Sequence, residues 1–171
     1  MTGFDPDALL AVLHRHGVRY VLIGGLAAAL RGSATPTFDV DITPAAGSVN
    51  LARLSAALTD LDARVRVDGI PEGLPFSHDA ESLTQMTIMN LVTRFGDLDI
   101  AFDPAGIADY SQWEIDATLV TVLGVPVQVA SLDDIIRSKE AADRAKDRLQ
   151  LPMLRALRRR QHRMEKPSND M

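Results

Sequence analysis

The chain has 171 residues, a formal net charge of −5 and no cysteine. This length predicts one domain that buries a hydrophobic core without staples, and the lack of cysteine excludes disulfide bonds and thiolate metal sites. No apolar run is long enough for a transmembrane helix and the N-terminal stretch does not resemble a signal peptide, so we expect a cytoplasmic protein with no membrane partner.

Positive charge is concentrated near the C-terminus. Residues 137–166 contain eleven Lys and Arg against four Asp and Glu, a local excess of +7. The rest of the chain therefore carries −12. This asymmetry indicates a basic face on an otherwise acidic body.

Start and stop signals define the first elements. A helix is predicted to begin at Asp5 and Pro6, an N-cap followed by proline at the first helical position, and to end at Gly17. Residues 20–23 are a short apolar run of β-forming side chains, which predicts a buried strand. A helix of small residues is expected over residues 26–30.

Two glycines and a second strand make up the most informative segment. Gly24 and Gly25 allow the backbone to approach a phosphate closely, and the helix N-terminus that follows favours that anion. In the next strand Asp39 and Asp41 share one face, while the apolar side chains, Phe38 among them, are expected to face the core. Two carboxylates this close repel each other unless a cation lies between them, and Mg²⁺ prefers oxygen ligands. The segment predicts a metal-dependent phosphate site.

Helix and strand patterns alternate through the middle of the chain. Ser48 opens a helix, and residues 63–67 alternate apolar side chains with arginine, which predicts a strand with one solvent-exposed face. Residues 68–76 are rich in Pro and Gly and are predicted to be a loop. The sequence leaves open whether this loop is a flexible lid beside the site or an ordinary connection.

A predicted hairpin offers a third carboxylate. Its strands are expected over residues 87–93 and 97–102. Asp97 and Asp99 lie on the same face of the second strand. Asp99 is flanked by apolar residues, whereas Asp97 adjoins the turn and is expected to be solvated. Asp99 is therefore the candidate third metal ligand and the candidate base for an acceptor hydroxyl.

A second hairpin is predicted over residues 118–130, and Ser131 then caps a helix that runs toward Lys146. Pro152 is expected to break the helical segment, because a proline inside a helix costs about 3 kcal/mol.

A final helix is predicted over residues 153–163, and residues 166–171 are expected to fray. We therefore expect a main domain over residues 1–150 and a basic helical appendage over residues 151–171. One ridge of the final helix supplies the candidate nucleic-acid contacts: Arg155, Arg158, Arg159 and Arg163.

The paired glycines followed by Asp-x-Asp between apolar residues resemble the signature of the polymerase-beta-type nucleotidyltransferase superfamily. The resemblance implies an α/β (α+β) fold, with a mixed twisted sheet, helices packed behind it and a C-terminal helical segment. It also implies that Gly24 and Gly25 hold the triphosphate of an NTP and that Asp39 and Asp41 hold Mg²⁺. The usual Gly-Ser of that superfamily is Gly-Gly here. Thr37, on the face of Asp39, is one candidate for the missing hydroxyl contact, beside Ser33 and Thr35.

The C-terminal segment narrows the resemblance. Lys139, Arg144, Lys146 and Asp147 match the K-x-x-A-x-R-x-K-D helix of bacterial nucleotidyltransferases grouped with AbiEii-type abortive-infection proteins and MenT-type toxins. The resemblance implies that Lys139 contacts phosphate or the acceptor, that Arg144 assists and that Asp147 supports the site. The alternative is an exposed helix face whose cations pair with neighbouring acids.

Three functions are compatible with these motifs. The first is a Mg²⁺-dependent toxin of a toxin-antitoxin system, which moves a nucleoside monophosphate from an NTP to RNA, at the 3′ end of tRNA, and is held by a cognate antitoxin. The second is a nucleotidyltransferase that modifies a small molecule such as an antibiotic. The third is a non-catalytic, antitoxin-like domain, against which the intact Gly-Gly and Asp-x-Asp motifs argue.

Overall fold

The structure is a computed structural model that describes residues 3–165. Its helices are α1 (Pro6–Arg15), α2 (Gly24–Leu30), α3 (Ser48–Asp60), α4 (Ala80–Leu83), α5 (Tyr110–Asp116), α6 (Leu132–Ala142) and α7 (Ala145–Glu165). Its strands are β1 (Tyr20–Ile23), β2 (Asp39–Pro44), β3 (Arg64–Val67), β4 (Ile70–Leu74), β5 (Ile88–Thr93), β6 (Gly96–Ala101), β7 (Thr118–Val122) and β8 (Val125–Val129).

The eight strands form one mixed sheet in the order β4-β3-β5-β6-β2-β1-β8-β7. β2 lies near the middle, antiparallel to β1 and parallel to β6. The hairpins β5–β6 and β7–β8 are both antiparallel, as predicted. The predicted mixed α/β architecture is therefore confirmed.

The central strands show why carboxylates and core side chains separate. In β2 the residues alternate in burial, so that Val40 and Ile42 are fully buried while Asp39 and Asp41 remain partly accessible. β6 repeats the pattern, with Leu98 and Ile100 buried. Because side chains alternate along a strand, the apolar set fixes the face on which the acids lie. Phe38 does not follow the predicted pattern: it precedes β2 and is 76% exposed.

The prediction of a loop over residues 68–76 is wrong. This segment contains the edge strand β4, which pairs with β3. Pro71 is compatible with that position because an edge strand leaves one row of backbone groups unpaired. Gly73 has φ +67° and would place a Cβ 2.7 Å from the carbonyl oxygen of Val65, so only glycine fits there. The composition indicated a loop, but residues 70–74 pair with β3 and form a strand.

The C-terminal helices meet at a different point from the one predicted. Pro152 lies inside the continuous helix α7, and the break falls instead at Asp143, which has a left-handed φ of 45°. Pro152 has no backbone N–H to donate a hydrogen bond to the carbonyl oxygen of Arg148, four residues earlier. Both residues are exposed, so water can satisfy that carbonyl. The predicted domain boundary after residue 150 lies within α7, and the predicted frayed residues 166–171 lie outside the described residues.

Within residues 3–165, no helix combines the length and the hydrophobicity needed to cross a membrane.

Candidate active site

Three carboxylates converge where β2 and β6 run side by side. The parallel register places Asp39 beside Asp97 and Asp41 beside Asp99. One carboxylate oxygen from each of Asp39, Asp41 and Asp99 lies within 4.8 Å of the other two. The predicted triad therefore forms on one face of two adjacent strands, and its all-oxygen donor set fits a hard divalent cation.

The triad holds more negative charge than its surroundings compensate. Burial, together with repulsion from Asp39 and Asp99, raises the pKa of Asp41 to about 7, although Lys146 and the backbone N–H of Gly25 act in the opposite direction. Burial also raises the pKa of Asp99, against the opposing effect of Arg66. Such crowding is relieved by a bound cation.

The two glycines are required by close contacts. Gly24 has φ +67°, and a Cβ there would lie 2.2 Å from the Oδ2 atom of Asp41. A Cβ on Gly25 would lie 2.7 Å from the Oγ1 atom of Thr37. Thr37 in turn donates a hydrogen bond to Oδ1 of Asp39 at 3.1 Å. The two glycines at the start of α2, the threonine and the carboxylates are thus packed against one another, and no residue larger than glycine fits at either position.

Arg66 on β3 is a neighbour of the triad that the sequence interpretation missed. Its Nη1 atom lies 2.5 Å from Oδ2 of Asp97, and its Nη2 atom lies 2.7 Å from Oδ1 of Asp99. Asp97, which was expected to be solvated, keeps 37% of its side-chain surface exposed but also pairs with this non-local cation. The only sequence signal was the placement of arginine on the polar face of a predicted strand.

The opposite wall of the site lies where α6 meets α7. Lys139 is almost fully buried, and its Nζ atom lies 3.2 Å from Oδ1 of Asp147, whose side chain has no exposed surface. Arg144 donates to the other oxygen of Asp147 at 2.7 Å. Burial alone would raise the pKa of Asp147, but the hydrogen bonds from Arg144 and Lys139 outweigh it and lower that pKa. Lys139 is therefore not part of an exposed ion-paired face.

A cleft of about 320 Å³ separates the two walls. Asp41, Asp99 and Gly24 line it on the sheet side, while Lys139 and Arg144 line it on the helix side. Its remaining surface is largely apolar and is formed by Ile23, Ile88, Ile100, Ala101, Pro104, Ala105, Trp113, Ile135 and Ala142. The amide of Asn90 and the hydroxyl of Ser138 complete the lining, and the sequence did not single out either residue. The cleft thus joins a carboxylate cluster, cations and an apolar surface.

The four arginines predicted to bind nucleic acid are not equivalent. Arg155 pairs with Glu140 at 2.6 Å, and Arg158 pairs with Asp133. Arg159 and Arg163 are exposed and form no ion pair with an acid among residues 3–165. Half of the predicted ridge therefore ties α7 to α6, which leaves less free positive charge than the sequence suggested.

No family model and no curated protein matches the sequence. Solved structures match its fold. LnuA, a lincosamide antibiotic adenylyltransferase solved with lincomycin bound, has a TM-score of 0.58 at 16% identity, and the match covers 92% of this chain and 99% of that chain. ANT(2″)-Ia, solved with adenylyl-2″-tobramycin, has a TM-score of 0.51 at 16% identity, with 92% and 95% covered.

A third match comes from Thermotoga maritima. The candidate nucleotidyltransferase TM1012 has a TM-score of 0.55 at 16% identity, and the match covers 86% of this chain and 88% of that chain. The predicted nucleotidyltransferase fold is therefore confirmed over most of the chain.

Proposed function

We propose that the protein is a Mg²⁺-dependent nucleotidyltransferase that moves a nucleoside monophosphate from an NTP to an acceptor hydroxyl. The observation that carries the proposal is a cluster of three carboxylates, packed against two glycines at the start of α2, that faces two cations across one cleft. In the reaction the acceptor oxygen bonds to the α-phosphorus, and the bond to the leaving pyrophosphate breaks.

Asp39, Asp41 and Asp99 are the residues that would hold the metal. A bound Mg²⁺ would supply charge neutralisation for the triphosphate and the leaving pyrophosphate. Asp99 is also the candidate base that accepts the proton of the acceptor hydroxyl. Its position in the cleft suits that role, because an effective base must be within hydrogen-bond reach of its substrate.

The remaining groups bind and orient the triphosphate. Gly24 and Gly25 leave room for phosphate oxygens close to the backbone, and Thr37 is the candidate hydroxyl contact. Lys139 and Arg144 would stabilise phosphate charge from the helix side. Asp147 holds both cations in place, so that they are oriented before the substrate arrives. The division into a nucleotidyltransferase domain over residues 1–150 and a basic appendage over residues 151–171 belongs to this proposal.

We propose a small hydroxyl-bearing molecule as the acceptor. Two of the structural neighbours were solved with lincomycin or with adenylyl-2″-tobramycin, and the cleft here has a volume and an apolar lining typical of small-molecule sites. RNA, modified by a toxin under the control of an antitoxin, is the second candidate. Its support is the exposed basic surface of α7, which includes Arg159 and Arg163.

Transfer assays test the proposal directly. The protein would be incubated with each α-labelled NTP, Mg²⁺ and either total RNA or a panel of aminoglycosides and lincosamides. Label in a small-molecule product supports the first candidate, and label in RNA supports the second. Failure to bind any NTP in the presence of Mg²⁺ would contradict the proposed activity itself.

A further inference from the structure

We infer that Arg66 is a positioning residue that holds Asp99 in the orientation needed for metal binding, with Asp97 as its anchor. The inference rests on the proposed metal site formed by Asp39, Asp41 and Asp99. It assigns a role to Arg66 and Asp97, two residues outside the triad.

The sheet brings Arg66 to the triad from a distant strand. β3 pairs with β5, and β5 pairs with β6 through Asn90 and Asp99. Continuing the β3–β5 register places Arg66 beside Asn90, so that both lie in one row with Asp99 and Asp41 on the same face. The arginine side chain spans β5 and contacts two carboxylates on β6, Asp97 and Asp99.

The four acids on this face require such a cation. Asp39 lies beside Asp97 and Asp41 lies beside Asp99, and like charges on neighbouring strands repel. Among residues 3–165, Arg66 is the cation that forms ion pairs with this group. It approaches from the side of β6 opposite to β2, which carries Asp39 and Asp41. Positive charge is therefore supplied to Asp97 and one oxygen of Asp99, while Asp39 and Asp41 form no ion pair among residues 3–165.

The fork of the guanidinium fixes an angle as well as a charge. One Nη atom is held by Asp97, and the second holds Oδ1 of Asp99. Because the guanidinium is planar and rigid, anchoring one end orients the other, whereas a lysine ammonium is a point charge on a flexible stem. The second oxygen of Asp99 is then free for the metal shared with Asp39 and Asp41.

Metal titration of the full chain tests this role without any substrate. Isothermal titration with MnCl₂ would compare the unsubstituted protein with Arg66→Lys, which keeps the charge and loses the fork. We expect the Kd for Mn²⁺ to rise about tenfold, the lower end of the effect of removing a group that orients a metal ligand. Arg64→Lys is the matched control, since Arg64 lies on the same strand and face without an ion pair to the four acids, and it should bind Mn²⁺ unchanged.

A second comparison shows whether Arg66 acts through Asp99. In an Asp99→Asn background, Arg66→Lys should cause no further rise in Kd, whereas an undiminished rise would contradict the positioning role. Asp97→Asn, which keeps Arg66, should also weaken Mn²⁺ binding and serves if Arg66→Lys does not fold. Unchanged Mn²⁺ affinity in Arg66→Lys would overturn the role assigned to Arg66 but would leave the proposed metal site intact. Absence of Mn²⁺ binding by the unsubstituted protein would overturn the metal site, and the role of Arg66 with it.

Discussion

The two walls of the cleft solve the problem of crowded charge in opposite ways. On the sheet side, Asp39, Asp41 and Asp99 face one another with too little positive charge, and the pKa of Asp41 rises to about 7. On the helix side, buried Lys139 is paired with Asp147, and the pKa of Asp147 is lowered. The sheet side keeps uncompensated negative charge and is called the frustrated wall below. On the helix side the buried charges are paired, and this side is called the satisfied wall.

This difference in charge compensation indicates which wall would bind a cation. A protein interior tolerates buried charges when each has a partner, and the helix side meets that condition by itself. The sheet side meets it only in part, through Arg66 on one edge. A divalent cation bound there would complete the sheet side, and the substrate phosphates would then lie between the cation and Lys139.

The largest expected effect comes from removing a charge from the frustrated wall. Asp41→Asn should lower nucleotidyl transfer about 10³-fold, because a bound metal supplies several kcal/mol of charge stabilisation. The metal-free protein should lose no stability, since the substitution relieves repulsion. Activity assays and urea unfolding in EDTA would measure both quantities.

Asp68→Asn is the control for that substitution. Asp68 is an exposed acid in the turn between β3 and β4 and is not part of the triad, so its replacement should change neither activity nor stability. An Asp41→Asn protein with wild-type activity would exclude the proposed metal role of this wall.

A smaller loss of activity is expected when a side chain is added at the first glycine of α2. Gly24→Ala places a Cβ 2.2 Å from Oδ2 of Asp41 in a backbone region with φ +67°. The carboxylate must move, so we expect activity to fall about 10²-fold, the cost of a displacement of about 1 Å. Gly47→Ala is the control, because no atom lies within 4 Å of the new Cβ and φ is −63°. Equal activities of the two variants would refute the requirement for close packing at Gly24.

The satisfied wall should fail through stability. Asp147→Asn leaves the Lys139 ammonium buried without a full counter-charge, and we expect the free energy of unfolding to fall by about 3 kcal/mol at pH 7. Asp143→Asn is the matched control. Asp143 pairs with Arg148 at an exposed position, and asparagine accepts its left-handed φ, so the loss should stay below about 1 kcal/mol. Equal losses in urea unfolding would mean that the buried pair contributes no more than a surface pair.

The triad was predictable because it depends on local periodicity. Asp39 and Asp41 share a face by alternation, and Asp99 lies on a recognisable hairpin strand. The pairing of Arg66 with Asp99 was not predictable, since it depends on β3 adding to the far side of β5 rather than on any pattern within the strand. Strand order is a property of the folded sheet.

Local propensity also failed where the rest of the fold overrides it. Pro152 carries a strong break signal, yet α7 continues through it because Leu151 and Leu154 on either side are buried against the body. The actual break at Asp143 has only a weak signal, since asparagine and glycine are the usual residues in that conformation. Phe38 was expected in the core because the strand was expected to start one residue earlier.

The smallest expected effect concerns whether the positive wall extends along α7. If RNA is the acceptor, Arg159, Arg160 and Arg163 should contact its phosphates. These residues are exposed and form no ion pair with an acid among residues 3–165. Replacing all three with Gln should weaken RNA binding and reduce the slope of log K against log salt by about 0.7 for each lost contact with a single strand.

The paired arginines of the same helix provide the control. Arg155→Gln with Arg158→Gln removes two charges already engaged by Glu140 and Asp133, so the salt slope should change less for each charge removed than in the triple variant. NTP binding should be unchanged in both variants, since neither touches the cleft. A small-molecule acceptor predicts equal transfer by all three proteins and no dependence of transfer on α7. An unchanged salt slope in the triple variant would therefore exclude α7 as an RNA surface and leave the cleft as the acceptor site.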